Sequence, residues 1–462
     1  MIFSAGWVMR FDRIAVSLSA LLLIPIVSWA ACTGRSPTWS STPDYASVSR
    51  CVSKAGVGDT INVRSGSATW NSILTINKGI KLIGAGVGNT LITRRASTII
   101  MINNPPSTNL LRISGFTFEV ENGGNEGGAI SMSCSEAAGA AKWNIRIDHN
   151  LFTTPSGTCT TGHCYIYNGG CRGVIDNNTF EKAEYPLGIG VSGDFPGATA
   201  WANHPDLVFG AAHDNLYIED NIFNDEATTI TDCDEGGRYA FRYNTFNPKN
   251  AMYPFLDTHG GKGGVYSCMG VEIYGNQFNN PGGEVHGNQS GGRSAGHHNW
   301  GVNGYIQISD AEGCPVLQRE LLNETYYFLN RDDTGALIGT SESAAVECGW
   351  MATENRDWWQ DNTSCIDPNI CSTITTGVGC GTLANLPASC TTGTAFWVTT
   401  QSCTDLTGMV GRNPSTPISG TLYKCTAPNT WTAFYTPYTY PHPLRDESGP
   451  PAPPANLQIL LQ

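Results

Sequence analysis

The chain has 462 residues, of which 14% are charged, a formal net charge of −13 and 16 cysteines. So acidic a surface excludes nucleic acid and anionic lipid as natural partners, and it disfavours polyanionic sugars unless a cation intervenes. With few charged side chains, solubility falls to Gly, Asn, Ser and Thr, a balance that fits a rigid, turn-rich all-β protein.

Residues 1–31 read as an export signal. Arg10 and Arg13 precede an apolar run from Ile14 to Val27 and the small-residue exit Ser28-Trp29-Ala30-Ala31; the run is too short to span a bilayer. Met9 would give a more usual signal length than Met1. Cys32 directly after the exit invites lipidation, but Trp29 stands where a lipoprotein signal carries an aliphatic residue. Cleavage to a soluble, secreted protein without a membrane span is therefore expected. All the cysteines lie beyond the exit, their number is even, and their spacing matches neither C-x-x-C zinc pairs nor a haem attachment. Disulfides are the expectation, at least one within 134–171 and several beyond 348.

Thr42-Pro43-Asp44 predicts a short helix with Thr42 as cap, Pro43 at the first helical position, and Tyr45, Val48 and Val52 as its apolar face. GDTINVRSG and ILTINKGIKLIGAG then alternate apolar and polar residues with period 2, broken by glycines, and read as the first of a series of short strands. From there one phrase recurs: a large apolar residue, two variable residues, asparagine, one variable residue, phenylalanine. It is written IDHNLF (Ile147 to Phe152), IDNNTF (Ile175 to Phe180), IEDNIF (Ile218 to Phe223), FRYNTF (Phe241 to Phe246) and IYGNQF (Ile273 to Phe278), with a looser copy, ISGFTF, at Ile113 to Phe118. The phrase is fixed while the material between copies varies in length, the signature of a solenoid with loop insertions. Stacked coils place Asn150, Asn178, Asn221, Asn244 and Asn276 above one another at about 4.8 Å, so that their amides bond neighbour to neighbour. The helix would plug the open first coil.

On these repeats the chain resembles the right-handed parallel β-helix proteins of the pectin-lyase-like superfamily, over roughly residues 45 to 330. The resemblance implies an all-β solenoid, and a group made mostly of secreted polysaccharide lyases, hydrolases and epimerases beside phage tailspikes and non-enzymatic surface proteins. No complete catalytic signature of one enzyme family is present. The units expected are a signal peptide (1–31), a β-helix with its capping helix (32–335), a small Cys- and aromatic-rich β module (336–444) and a Pro-rich linker tail (445–462).

The candidate chemistry lies in two places. Side chains alternate across a strand, so the residue after the first apolar position of each phrase points outward, giving a row Asp148, Asp176, Glu219, Arg242, Tyr274. Three carboxylates at about 4.8 Å steps repel one another, and Ca²⁺, or Arg242, is the natural remedy. The alternative is a solvated acidic row. The second place is the insertions, which carry Trp201, then Asp257, His259 and Lys262, then His286, Arg293 and Trp300. In the lyases that the sequence resembles, Ca²⁺ holds a uronate carboxylate and a basic residue or tyrosine removes the C5 proton. Arg242, His259, Lys262 and Arg293 are thus the candidate catalytic residues; Trp201, His286 and Trp300 are the candidate contacts to a polysaccharide or cell-surface glycan. Asp232 and Asp234 offer a paired-carboxylate hydrolase instead. A non-catalytic surface, adhesive or structural protein is the third reading.

Beyond residue 335 the phrase is lost. AFWVT (Ala395 to Thr399) and TLYKCTAPNTWTAFYTPY (Thr421 to Tyr438) predict strands around a turn at Pro428-Asn429. Trp397, Trp431, Tyr435 and Tyr438 could stack on sugars, although a small module also needs aromatics as core.

Overall fold

Each phrase is a strand, a bend and a second strand, and the chain winds these into coils. The computed structural model describes residues 31–94, 98–105, 109–120, 127–134, 144–155, 159, 163–183, 186–190, 215–224, 229–233, 239–247, 255–258, 271–279, 304–305, 318–320, 325–339, 354–356, 358–435 and 439–446. Their strands form three long sheets of 16, 9 and 7 strands. One coil contributes Ile145–Asp148 to the first sheet, Leu151–Thr153 to the second and Ile166–Gly169 to the third. The next contributes Gly173–Asp176, Thr179–Glu181 and Leu187–Gly190, each parallel to its predecessor. The protein is a parallel β-helix, and the phrase forms the corner between its first and second sheets.

The register follows the repeat. Phe118, Phe152, Phe180, Phe223, Phe246 and Phe278 are successive partners, fully buried, with stacked rings 4.3–5.3 Å apart. The asparagine ladder is equally regular: each Nδ2 donates to the next Oδ1 at 2.9–3.1 Å through Asn150, Asn178, Asn221, Asn244 and Asn276 to a sixth rung, Asn330. That rung escaped the sequence pattern because Asp332 stands where the phrase has phenylalanine. Phe116, in the looser copy, ends the ladder by donating its backbone N–H to Asn150 Oδ1 at 3.0 Å.

The N-terminal helix is Tyr45–Lys54, and it buries Val48, Cys51 and Val52 against the first coil. Its cap is Asp44 rather than Thr42: Asp44 Oδ1 accepts from Ser47 N at 2.9 Å, while Thr42 donates its hydroxyl to Asp44 Oδ2. Asp44 directly precedes the first helical residue, so its carboxylate reaches the orphan N–H, and the threonine steadies it. Described disulfides join Cys32–Cys51, Cys134–Cys171, Cys159–Cys164, Cys365–Cys371, Cys380–Cys403 and Cys390–Cys425. Cys32, the residue that lipidation would modify, is thereby engaged. No helix among the described residues is long and apolar enough to cross a membrane.

The Cys-rich C-terminal region does not sit apart from the solenoid. Its strands Trp358–Ile366, Val378–Gly381, Ala395–Val398, Thr421–Ala427 and Thr430–Tyr435 extend the first sheet, the last two antiparallel around Pro428-Asn429. Its loops fold back over that sheet's outer face, where Tyr274, Tyr326, Phe328, Trp359 and Trp397 form a second core with Leu406 and Ile418. Trp397 is core, not a sugar platform.

Candidate functional site

The outward row of the first sheet is the first place to look. Two rows alternate there: Arg112 and Arg146 in one, and Ser114, Asp148, Asp176, Glu219 and Arg242 in the other. Each arginine reaches up one coil. Arg112 forks onto Asp148, with Nε–Oδ1 at 2.7 Å and Nη2–Oδ2 at 2.5 Å, and Arg146 forks onto Asp176 with both bonds at 2.9 Å. Arg242 grips Glu219 Oε2, at 2.8 Å from Nε and 2.7 Å from Nη2, and donates to Tyr274 Oη at 3.1 Å.

Over this row lies a strap, residues 439–446. Arg445 bonds Glu219 Oε1 at 2.9 Å and Asp220, Tyr440 Oη donates to Asp220, and the His442 N–H donates to Glu219 Oε1 at 2.9 Å. Arg146 donates back to the carbonyls of Leu444 and Arg445 at 3.2 Å. Leu444 packs on Val174, Tyr217 and Ala240. Burial works against the charged form of Asp148, but Arg112, His149 and Arg146 outweigh it and hold the carboxyl at about 2. Burial likewise opposes ionised Glu219, and Arg242 and Arg445 hold its carboxyl below the ordinary range. Asp176, deeper still, is raised by burial.

This arrangement corrects the outward row. Asp148, Asp176, Glu219 and Arg242 are all at 0% exposure, so they are not a solvated ladder awaiting a cation. Ligand atoms of Asp148, His149 and Asp176 do lie within 4.8 Å of one another, but Asp148 Oδ2 is already 2.5 Å from Arg112 and 3.5 Å from Arg146. A divalent ion would have to share that oxygen with two guanidinium groups. The donor set does not fit Ca²⁺. Arg242, enclosed by Glu219, Tyr217 and Tyr440, is correspondingly a structural residue rather than a reachable base.

A different constellation occupies the outer face of the third sheet. Its strands Ile166–Gly169, Leu187–Gly190, Thr229–Cys233 and Phe255–Thr258 place Tyr167, Gly188, Asp232 and Asp257 in one register row. Alternation sends their neighbours Ile166, Leu187 and Thr231 into the core, where they are buried. His163, from the disulfide loop Cys159–Cys164, lies over this row with Nε2 3.4 Å from Asp232 Oδ2 and its ring 5.3 Å from that of Tyr167. Gly188 makes the approach possible: a Cβ there would stand 2.3 Å from the imidazole. His163 and Asp232 keep 15% and 14% exposure, so the pair is sheltered yet open.

Of the residues singled out in the sequence, Asp232 takes part here, and Asp257 occupies the next rung by register. Trp201, His259, Lys262, His286, Arg293 and Trp300, with Asp234, lie outside the described residues. The insertion bearing Trp201 nonetheless begins directly after the strand ending at Gly190, and that bearing His259 and Lys262 directly after the strand ending at Thr258. Sequence reasoning missed His163 and Tyr167; the available signal was the run GHC, a histidine beside Cys164 at the entry to an alternating strand, YIYN. Compared with known proteins, the chain matches no described family and none of the curated proteins.

Proposed function

We propose that this is an exported glycan-active protein that binds an extracellular polysaccharide across the outer face of the third sheet and cleaves it by acid–base chemistry of the lyase type. The observation that carries the reading is the His163–Asp232 pair beside Tyr167, on the outer face of the third sheet. A carboxylate beside one imidazole nitrogen orients the ring and leaves the other nitrogen for the substrate, the arrangement a general base needs. In an elimination, His163 takes the proton from C5 of a uronate, C4=C5 forms as the C4–O bond breaks, and the Tyr167 hydroxyl protonates the departing oxygen. The substrate carboxylate needs a positive partner, for which His259, Lys262 and Arg293 are the sequence's candidates and Ca²⁺ the alternative source. Disulfide bonds in every described unit fit the oxidising compartment that an export signal implies.

The test is incubation of the secreted protein with pectate, alginate and glycosaminoglycans, with Ca²⁺ or with chelator, following the unsaturated-uronate absorbance. Turnover with at least one polyuronate is expected, falling by about 10²-fold or more in His163→Ala. Turnover that is unaffected by His163→Ala would remove the site. Absence of product from every polyuronate would leave the second reading, a non-catalytic glycan-binding surface protein. That reading has its own support in the second sheet, whose outer face carries an amide row, Asn224, Asn247 and Asn279, linked at 2.8–2.9 Å.

A further inference from the structure

His163 lies over Gly188, and the register partners of Gly188, Tyr167 and Asp232, flank it on the two sides. The imidazole therefore rests above the middle of three successive rungs, its ring 5.3 Å from that of Tyr167 and its Nε2 3.4 Å from Asp232 Oδ2. The missing Cβ at Gly188 makes room for the ring. Room alone leaves a histidine free to change rotamer and to swing out with its loop, whereas a base that must meet one proton needs its orientation fixed before the substrate arrives.

The Cys159–Cys164 cross-link supplies that restraint. It spans a sequence separation of 5, with His163 next to Cys164. Both cysteines belong to the solenoid core, at 3% and 2% exposure. Each is also tied to a different neighbouring coil: Cys159 bridges Ala183 in parallel and donates its N–H to Lys182 O at 2.9 Å, whereas Cys164 O accepts from Ala129 N at 3.1 Å. Tyr165, on the far side of Cys164, donates its N–H to Pro186 O at 3.2 Å and its hydroxyl to Glu181 O, and its ring packs against Phe152 and Phe180. The backbone of His163 is thus one residue from a buried anchor that is bonded both up and down the stack.

Stability of the whole chain does not account for so short a closure. The constraint that a disulfide places on the unfolded chain grows with the logarithm of the loop it closes. Four of the described cross-links close separations of 19 to 37, and this one closes 5. Its restraint is local, and the side chain it restrains is His163.

We infer that the Cys159–Cys164 disulfide is the positioning element of the third-sheet site: it holds the His163 imidazole over Gly188, between Asp232 and Tyr167, so that the site is assembled only once this bond has formed. Closing the bond removes one hydrogen from each thiol and passes both, with two electrons, to an external disulfide that leaves as two thiols, a reaction favoured in an oxidising compartment. The consequence for cleavage rests on the role proposed for His163 above; the placement of the ring does not.

The experiment is NMR on the whole secreted protein, labelled in its histidine and tyrosine rings, with the His163 signals assigned by their loss in His163→Gln. Wild type should show a ring-to-ring NOE between His163 and Tyr167. In Cys159→Ala/Cys164→Ala that NOE should fall several-fold or vanish, and polyuronate turnover should lose about tenfold or more in kcat while KM stays within about twofold. The control is Cys365→Ala/Cys371→Ala, which opens a cross-link of separation 6 in the C-terminal region and should leave both readouts as in wild type. Where the first pair does not fold, Cys159→Val/Cys164→Ala, which refills the volume of the sulfurs without a bond, takes its place; failure of both to fold would make the cross-link a requirement of the fold and overturn its local role. An NOE that is missing from wild type, survives in the opened variant, or is lost equally in the control overturns the inference. Loss of the NOE with turnover unchanged, or in a protein that cleaves no polyuronate, sustains the positioning and removes only the chemistry proposed for His163.

Discussion

The residue just before each ladder asparagine bears the local strain of the corner. Its φ is +53° at His149 and Asn177, +58° at Asp220, +56° at Tyr243, +66° at Gly275 and +55° at Leu329, and Gly115, before Phe116 in the looser copy, holds the same conformation at +79°. Only glycine and, less readily, asparagine and aspartate enter this left-handed region without strain. At Gly275 the reason is doubled, since a Cβ would also meet the Tyr243 ring at 2.8 Å. Four non-amide, non-glycine residues hold the same conformation because the ladder fixes the backbone on both sides of them.

Asp361 shows how burial sets charge at a single residue. Burial pushes its carboxyl up to about 7, with Arg331 and the Leu329 N–H pulling the other way. Its unfolded value is that of an ordinary aspartate, so between roughly pH 4 and pH 7 the folded chain holds a proton that the unfolded chain has lost. Stability therefore falls as pH rises through that window. Asp361→Asn keeps the acceptor for Leu329 N and removes the ionisation. Thermal melting should show the variant equal to wild type near pH 4 and more stable by on the order of 4 kcal/mol at pH 8. A variant less stable at pH 8 would mean that attraction to Arg331 outweighs burial.

At the scale of elements, the ladder is the device that keeps coils in register. The side chain and backbone N–H of Asn221 make six bonds: the backbone N–H to Asn244 Oδ1, Nδ2 to Asn244 Oδ1, Ile175 O and Glu219 O, and Oδ1 from both the N–H and Nδ2 of Asn178. All of these groups are buried, so truncation strands donors and acceptors rather than returning them to water. Asn221→Ala should cost about 2–4 kcal/mol by denaturant unfolding, more than the single lost bond of an exposed turn asparagine. A loss below about 0.5 kcal/mol would show that water refills the corner.

The strap acts on a larger element, the outer face of the first sheet. Arg445 meets Asp176, Glu219 and Asp220 at once, and it is the last of the cations that neutralise the buried row. Removing one partner of a buried ion network leaves an uncompensated charge, at a cost of roughly 3–5 kcal/mol. Arg445→Ala should therefore lower the melting temperature and expose the segment from 439 onward to limited proteolysis. Unchanged melting and protection would mean that Leu444 and Tyr440 hold the strap without it.

At the scale of the whole molecule, the three faces of the solenoid have three fates. The C-terminal region and its strap cover the first sheet, the second presents an amide row, and the third carries His163 and Asp232. Division of labour of this kind follows from stacking: every coil offers the same three faces, and whatever is attached at one corner covers one face along its length.

The repeat by itself determined the β-helix. A fixed interval between an apolar residue, an asparagine and a phenylalanine can satisfy burial and amide bonding together only if the coils stack in register, and Asn150 to Asn276 and Phe118 to Phe278 were legible for that reason. Period-2 alternation likewise determined that Asp148, Asp176, Glu219 and Arg242 leave the core. It could not say what they meet outside. Only the tertiary structure decided that Arg445, some 200 residues or more along the chain from its carboxylate partners, covers them, and that Arg112 and Arg146 pair across coils. The site was hidden for the same reason. His163 and Asp232 are far apart in sequence and belong to no spaced motif; winding through an insertion of variable length brings them within 3.4 Å. Repeats write local geometry into the sequence, whereas the contacts between an excursion and a distant coil depend on where the chain returns, which no local pattern records.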